Sequence, residues 1–517
     1  MKQVLHHLAT GAIALADVPA PLVGPRQVLI ANQASVISAG TERMLVAFGR
    51  ANWLERARQQ PDRVRQVLDK ARTDGVAATA RAVRARLDAP LALGYSSAGI
   101  VLDAGREVTG IAIGDRVVSN GAHAELVAVS QTLCARIPDG VAFDAAAYTV
   151  IAAIGLQGVR LAAPELGEAV VVSGLGVIGL LTVQILVSAG CRVAGIDPLP
   201  ERLALAARFG ATPIPPGDGD PVERVLEWTR GRGADAVLVA AATESSEPVR
   251  QAARMSRKRG RVVLIGAAGT ALERTVFYER ELSFQVSCSY GPGRYDPQYE
   301  EAGYDYPLGY VRWTEQRNFE AIVELMAAGR IDPAPLTTHR YPQAAAEAAY
   351  DVILGAEPSL GVVLEYPPPA AGAALQRLSV SAAGTTEPRR EAAAGSPGAA
   401  VLGAGNFAGQ VLVPAIAAAG ARLVEIVSAR GTSAAHLASR HGFARCATDV
   451  TGTLAASDVD AVFIATRHDS HAALAAAALA AGKSVYVEKP LALSLVELET
   501  VRAAWTAASA GSGAQLM

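Results

Sequence analysis

The stretch Val170-Val171-Val172-Ser173-Gly174-Leu175-Gly176-Val177-Ile178-Gly179 decides the fold of the first half of the chain. A short β-branched run that breaks into G-x-G-x-x-G and continues as the apolar helix pattern LLTVQILVSAG is the strand, turn and helix of a dinucleotide-binding unit. Gly174 permits the tight turn, Gly176 lets the backbone approach a pyrophosphate, and Gly179 lets the helix press on the sheet, which aims the helix N-terminus at the phosphates. The next strand, Arg192 to Ile196, ends on Asp197, where a carboxylate accepts bonds from the adenosine ribose hydroxyls and repels a 2′-phosphate. The expected cofactor is therefore NAD(H). Glycines that merely turn a βα loop are the plain alternative, and the strand, helix and acid together weigh against it.

Outward from this turn, apolar runs of five or six residues alternate with amphipathic stretches from about Pro164 to Cys288: AVVVS, CRVAGI, ADAVLVAA, GRVVLIG, LSFQVSC. That alternation predicts βαβ units on a parallel sheet. The rhythm lapses from Pro367 to about Gly398 into Ala, Gly, Pro and Ser, which reads as a linker over 367–397, and restarts with AAVLGAG, RLVEIVSA, DAVFIAT and KSVYVEK. Before the first sheet, short β-branched runs punctuated by glycine (about Arg26 to Leu45 and Ala92 to Pro138) suit an antiparallel β domain, with a basic, helix-patterned insertion at about 52–88.

A chain of 517 residues exceeds a single core, and 51% hydrophobic against 19% charged residues suffices to bury several. A net charge of −2 argues against nucleic acid or an anionic membrane as partner. With neither a signal-peptide pattern nor an apolar run of about 18 residues, a cytoplasmic protein is expected. Cys134, Cys191, Cys288 and Cys446 lie far apart, so no paired-cysteine zinc or redox site forms, and they read as buried thiols.

On these residues, positions 1 to about 366 resemble the medium-chain dehydrogenase/reductase family, in which a GroES-like β domain is interrupted by a Rossmann domain. Leu93 to Val118 (LGYSSAGIVLDAGREVTGIAIGDRVV) is similar to the glycine-rich core of that β domain, and Thr338 to Tyr366 to its last helix and returning strand. The resemblance implies an α/β architecture: a GroES-like domain over 1–145 and 335–366, a first Rossmann domain over 146–334, and, beyond the linker, a second Rossmann domain over 398–517.

Zinc-dependent members hold the metal through the cysteine of a CGTD-like turn and the histidine of GHE. The matching positions here are Ala39-Gly40-Thr41-Glu42 and Gly94-Tyr95-Ser96; Ala39 and Tyr95, in the places of the expected ligands, supply none of the usual donors, so no catalytic zinc is expected. A zinc-free dehydrogenase polarises a carbonyl with a hydrogen-bond donor; by the resemblance Tyr95 and Thr41, with Glu42 and Arg43 beside them, stand in the catalytic place. A packed aromatic replacing the metal is the equal alternative for Tyr95.

Ser289 to Asn318 (SYGPGRYDPQYEEAGYDYPLGYVRWTEQRN) carries six tyrosines, three arginines and a tryptophan. Such a run reads as the lining of a polar-ligand pocket, as a subunit contact in a homo-oligomer, or as a solvated loop. As a lining, Arg294, Arg312 and Arg317 would clamp a carboxylate or phosphate, and Tyr310 and Trp313 would stack on a ring or sugar. With the SAGTE turn and LGYSSAG, the run resembles the bacterial bi-domain oxidoreductases that join this dehydrogenase to a sugar-oxidoreductase-like half.

After the linker, Gly403-Ala404-Gly405-Asn406-Phe407-Ala408 is a second Gly-rich turn with alanine in the third place. Its following strand ends on Ser428-Ala429-Arg430 without an acid, so Arg430 either meets a 2′-phosphate or is an ordinary surface arginine, and NAD(P)(H) is the expected cofactor class. IATRHDSH (Ile464 to His471) and Val487-Glu488-Lys489-Pro490 resemble the Rossmann half of the glucose-fructose oxidoreductase and inositol dehydrogenase (Gfo/Idh/MocA) family. There the Glu-Lys-Pro turn adjoins the nicotinamide and implies substrate binding or proton transfer by Lys489. His468 and His471 read as helix-capping residues. The sequence stops at Gln515-Leu516-Met517, similar to the start of that family's sixth strand, so this second half is expected to have a cofactor site without a complete active site.

The leading expectation is a zinc-independent NAD(H) oxidoreductase acting on a small polar alcohol or carbonyl, a sugar or nucleotide sugar, with turnover in the first half. A quinone-oxidoreductase-like NADPH reductase and a non-catalytic dinucleotide sensor are the rivals.

Overall fold

The computed structural model describes residues 1–50, 87–355, 357–368, 377–379 and 395–517, with isolated positions 69, 72, 73, 75, 79 and 83. The insertion expected at 52–88 thus lies almost wholly outside the described residues.

The chain forms two compact units. One comprises Val23–Leu45 and Leu93–Pro368. Its β domain is a seven-stranded sheet in which Gln27–Ser38 pairs with Ser97–Ala104, with Leu126–Ser130 and, from the far end of the unit, with Gly361–Glu365. Between these halves lies an all-parallel six-stranded sheet in the order Thr212–Ile214, Arg192–Ile196, Ala169–Ser173, Ala234–Val239, Ser256–Leu264, Ser283–Val286. Ala169–Ser173 is buried at every position because helices cover both faces, which is why the strand reads as a continuous apolar run. The helix Val177–Ser188 is apolar all round and correspondingly buried.

The other unit comprises Met1–Leu22, Val46–Ala92 and Pro369–Met517. Its parallel sheet runs Arg445–Ala447, Arg422–Val427, Gly398–Leu402, Ala461–Ile464, Ser484–Val487. Val485 bridges Leu516 in parallel, and backbone hydrogen bonds join Val485 to Gln515 and Met517. Two features depart from the expected division. Within the expected linker, Arg377–Ser379 is an edge strand paired antiparallel with Arg445–Ala447. The hairpin Lys2–His7 and Ala12–Asp17, joined by Pro90–Ala92, forms a separate sheet instead of extending the seven-stranded one, and its residues group with the second nucleotide-binding domain. Side-chain hydrogen bonds from Thr432 and Thr448 to Gln3 and Ala20 are the reason.

Candidate active site

The first Gly-rich turn has the geometry of a phosphate cradle. Gly174 sits at φ +93° against the backbone of Ala241, so only glycine fits. A Cβ on Gly179 would overlap the Gly174 carbonyl, a consequence of pressing the helix onto the strand. At Gly176, the N-cap of Val177–Ser188, a Cβ would meet nothing within 4 Å: the backbone faces open space at a helix N-terminus. The second turn repeats the pattern. Gly403 has φ +102° against Ala465 and Thr466, Gly405 faces open space, and Ala408 is buried in the third place.

Asp197 stands at the strand end, but it is only 3% exposed and already occupied. Its Oδ2 accepts from Leu175 N at 2.8 Å and its Oδ1 from Leu199 N at 3.0 Å, so the carboxylate braces the Gly-rich turn. A carboxylate has about four acceptor positions, so these bonds leave capacity for a ribose hydroxyl. Arg202, which carries no signal in the sequence, lies 3.5 Å from Asp197 Oδ2.

Tyr95 and Thr41 come together: the Tyr95 hydroxyl donates to Thr41 Oγ1 at 3.3 Å, and both residues are half-buried. Burial raises the tyrosine pKa most and the charge of Glu42 adds to it, against opposing hydrogen bonds with Ser38 and Thr41. Tyr95 is therefore a neutral donor at physiological pH. Glu42 does not face this hydroxyl pair with a free carboxylate. It is 1% exposed, accepts from Ser38 N at 3.0 Å and from the Tyr350 hydroxyl, and lies 3.3 Å from His123 Nε2. His123 Nδ1 and the Tyr366 hydroxyl both meet Ser35 Oγ at 2.7 Å. This buried network locks the turn carrying Thr41, and a lone histidine far away in sequence gave no signal of it.

The segment 289–318 pairs two of its three arginines with its own acids. Arg294 pairs with Glu300, and Arg317 pairs with Asp305 while donating to the carbonyls of Val311 and Tyr306. Tyr299 and Tyr306 stack with centroids 5.3 Å apart, and Tyr306 donates to Asp296. Trp313 is held between two guanidinium groups, Arg160 at 3.3 Å and Arg312 at 3.7 Å, so neither face is free for a sugar. Tyr310 is 90% exposed. The arginine clamp and aromatic platform expected of Arg294, Arg312, Tyr310 and Trp313 are thus not what the structure assembles, because intra-segment acids and π faces take up the cations. The segment instead buries Glu315 completely, with neither carboxylate oxygen hydrogen-bonded. Burial, then the charge of Glu300, pushes Glu315 up to about 8 against the opposing pull of Arg294.

In the second domain, Arg430 is exposed at the end of Arg422–Val427. Glu488 accepts from the Tyr486 hydroxyl at 2.7 Å, Lys489 is exposed, and the Lys489–Pro490 bond is cis. His471 is buried and bridges this turn to the preceding loop, with Nδ1 2.8 Å from Pro490 O and Nε2 3.2 Å from Thr466 O; His468 is exposed.

Two sheets of parallel strands with glycine turns at their strand ends define a chain with two folds of the dinucleotide-binding type. Comparison with known proteins agrees: a zinc-binding dehydrogenase model matches residues 177–302, and an oxidoreductase family model with an NAD-binding Rossmann fold matches residues 398–511. The chain is a bi-domain oxidoreductase, its first half similar to medium-chain dehydrogenases and its second to the Rossmann half of the Gfo/Idh/MocA family. Rv1895 of Mycobacterium tuberculosis, named as a zinc-binding alcohol dehydrogenase, is 31% identical over 193 residues, which are 30% of this chain and 50% of that protein. D-guloside 3-dehydrogenase of Escherichia coli is 29% identical over 251 residues, 46% of this chain and 67% of that one. The chain thus matches between half and two thirds of the length of these relatives. The alcohol dehydrogenase TADH from Thermus sp. ATN1 shares the fold at a TM-score of 0.54 and 21% identity, over 71% of this chain and 100% of its own. Among the described residues, no helix is long and apolar enough to cross a membrane.

Proposed function

We propose that the first half is an NAD(H)-dependent oxidoreductase of small polyhydroxylated alcohols and their carbonyl forms, working without catalytic zinc. The carrying observation is the Tyr95–Thr41 hydroxyl pair, which by resemblance to zinc-dependent dehydrogenases stands in the place of the metal ligands. A zinc site needs three or four N, S or O donors in tetrahedral array. Ala39 offers none, and the nearest carboxylate and imidazole, Glu42 and His123, are turned to each other and to Ser38, Tyr350 and Ser35. The donor set does not fit the metal.

The nicotinamide fold does fit its cofactor: Gly176 opens the backbone to the pyrophosphate, and the buried negative charge of Asp197 favours a ribose hydroxyl over a phosphate ester. When bound, the nicotinamide accepts or gives the hydride. The chain's own residues handle the proton. Because Tyr95 is protonated at neutral pH, it acts as a hydrogen-bond donor to a substrate carbonyl oxygen; in the free protein that donor is directed to Thr41. The name of the guloside relative supports a sugar-like substrate. Tyr95→Phe keeps the ring and removes the donor. Turnover of sugar carbonyls should fall about 100-fold, the scale of one lost donor at a developing oxyanion, with NADH affinity unchanged. Metal analysis of the same preparation should find well under one zinc per chain; stoichiometric zinc, or full activity in Tyr95→Phe, would overturn the reading.

A further inference from the structure

The segment Pro19-Ala20-Pro21-Leu22 is extended by composition, since each proline fixes its own φ and pushes the residue before it out of the helical region. In the unit it shares with the second nucleotide-binding domain, it crosses the carboxyl ends of two parallel strands, Arg422–Val427 and Arg445–Ala447. Three contacts hold it there. Thr448 Oγ1 donates to Ala20 O at 2.6 Å, with both residues buried. Leu22 N donates to Ala429 O at 3.1 Å. The Pro19 carbonyl lies so close to Gly431, at φ +76°, that a Cβ would overlap it. Deeper in the hairpin, Thr432 Oγ1 donates to Gln3 Oε1 at 2.9 Å.

In open α/β sheets the ligand binds outside the carboxyl ends of the strands, and the residues just after the second strand meet the 2′ position of the adenosine ribose. Here those residues are Ser428, Ala429 and Arg430. Both neighbours of Arg430 are the ones the segment touches. Arg430 itself is exposed, and among the described residues no carboxylate pairs with it.

We propose that Pro19–Leu22 is a specificity-determining part of the second nucleotide site: by pinning Ala429 and Gly431 it sets the position of the Arg430 guanidinium, which selects the 2′-phosphate of NADP(H). A loose loop would have to be ordered at the moment of binding, and that entropy would be subtracted from a charge-assisted pair; a loop fixed on both sides of the arginine is already ordered. The two sites then differ in kind, an acid at the ribose corner of the first and a braced arginine at that of the second.

The test uses the full chain carrying Gly176→Asp, which silences the first site while its new side chain points into open space. Calorimetric titration with NADPH and with NADH then reads the second site alone. The unaltered second site should prefer NADPH, and Arg430→Ala should weaken NADPH about tenfold while leaving NADH within about twofold, the scale of a lost charge-assisted bond. Thr448→Val, which removes the donor to Ala20, should shift the NADPH-to-NADH ratio in the same direction, several-fold. In the Arg430→Ala background it should shift the ratio no further, which a general loss of folding would not reproduce. Gln3→Ala loosens the hairpin from Thr432 and gives a second route should Thr448→Val fold poorly. Asp17→Asn, which removes the exposed Lys2–Asp17 pair of the same hairpin and leaves the contacts of Gln3 and Ala20 in place, should change nothing. An unchanged ratio in both loosened variants, an equal shift without Arg430, or no nucleotide binding by the Gly176→Asp chain would overturn the proposal.

Discussion

Replacing Glu315 by glutamine should change how the stability of the first unit depends on pH, and the size of the change follows from its surroundings. The side chain is fully buried with no hydrogen-bond partner, and its carboxyl is pushed from 4.5 up to about 8 by burial and by Glu300. Below about pH 4.5 both folded and unfolded states are protonated and the group is neutral to stability. As pH rises from there to about 8, the unfolded state gives up its proton while the folded state keeps it, so stability falls; above about 8 the loss is complete and constant. Each pH step over which the two states differ by one proton costs about 1.4 kcal/mol, so the loss accumulated between about pH 4.5 and 8 is about 5 kcal/mol as a ceiling. Glutamine cannot ionise, so Glu315→Gln should show no such slope and should gain on the wild type by up to that amount at the alkaline end. Hydrogen exchange of the amides in 289–318, corrected for intrinsic pH dependence, reads the local opening free energy directly. Parallel pH profiles for the two proteins would refute the reasoning.

Ending the chain at Tyr366 removes the partners of Gln3, Ala20 and Leu22, so the truncated protein should melt at a lower temperature and bind an apolar dye, in contrast to a chain whose halves are joined only by a linker. Asp197→Ala should weaken NADH by about 1 to 3 kcal/mol, the scale of bonds to a charged group, and should also lower the melting temperature, because Leu175 N and Leu199 N lose their acceptor. Gly176→Asp should abolish turnover, whereas Gly405→Asp and Lys489→Ala should leave the rate within about twofold, by steady-state assay with the best sugar carbonyl. Loss of turnover in Lys489→Ala with intact NADH binding by the first half would place catalysis in the second.

Both parallel sheets are legible in the sequence, because a strand covered on both faces must be apolar throughout and a phosphate turn must be glycine-rich at fixed spacing. Gly174 and Gly179 lie where a Cβ would meet backbone, and Gly176 faces open space. The polar residues carry less local information. The tyrosines and arginines of 289–318 announce a hydrogen-bonding demand, but composition does not say whether a ligand or the segment itself meets it. Arg317 with Asp305 and Arg294 with Glu300 meet it locally. Glu42 stands beside Thr41 in sequence, yet its partners Tyr350 and His123 come from distant strands and loops, so its turn toward the interior had no local signature. The hairpin of residues 2–17 has strand periodicity, and periodicity carries no information about which sheet a hairpin joins.

The bond between Ala20 and Thr448 spans 428 residues. At about 5 to 20 residues per second, a ribosome needs roughly 20 to 90 s to travel from one partner to the other. The amino-terminal hairpin therefore emerges long before the surface that receives it exists. Ala20 must wait through the synthesis of the entire dehydrogenase half before the Thr448 hydroxyl that its carbonyl accepts from exists. Residues 19–22 are thus seated only after the dehydrogenase half has been made.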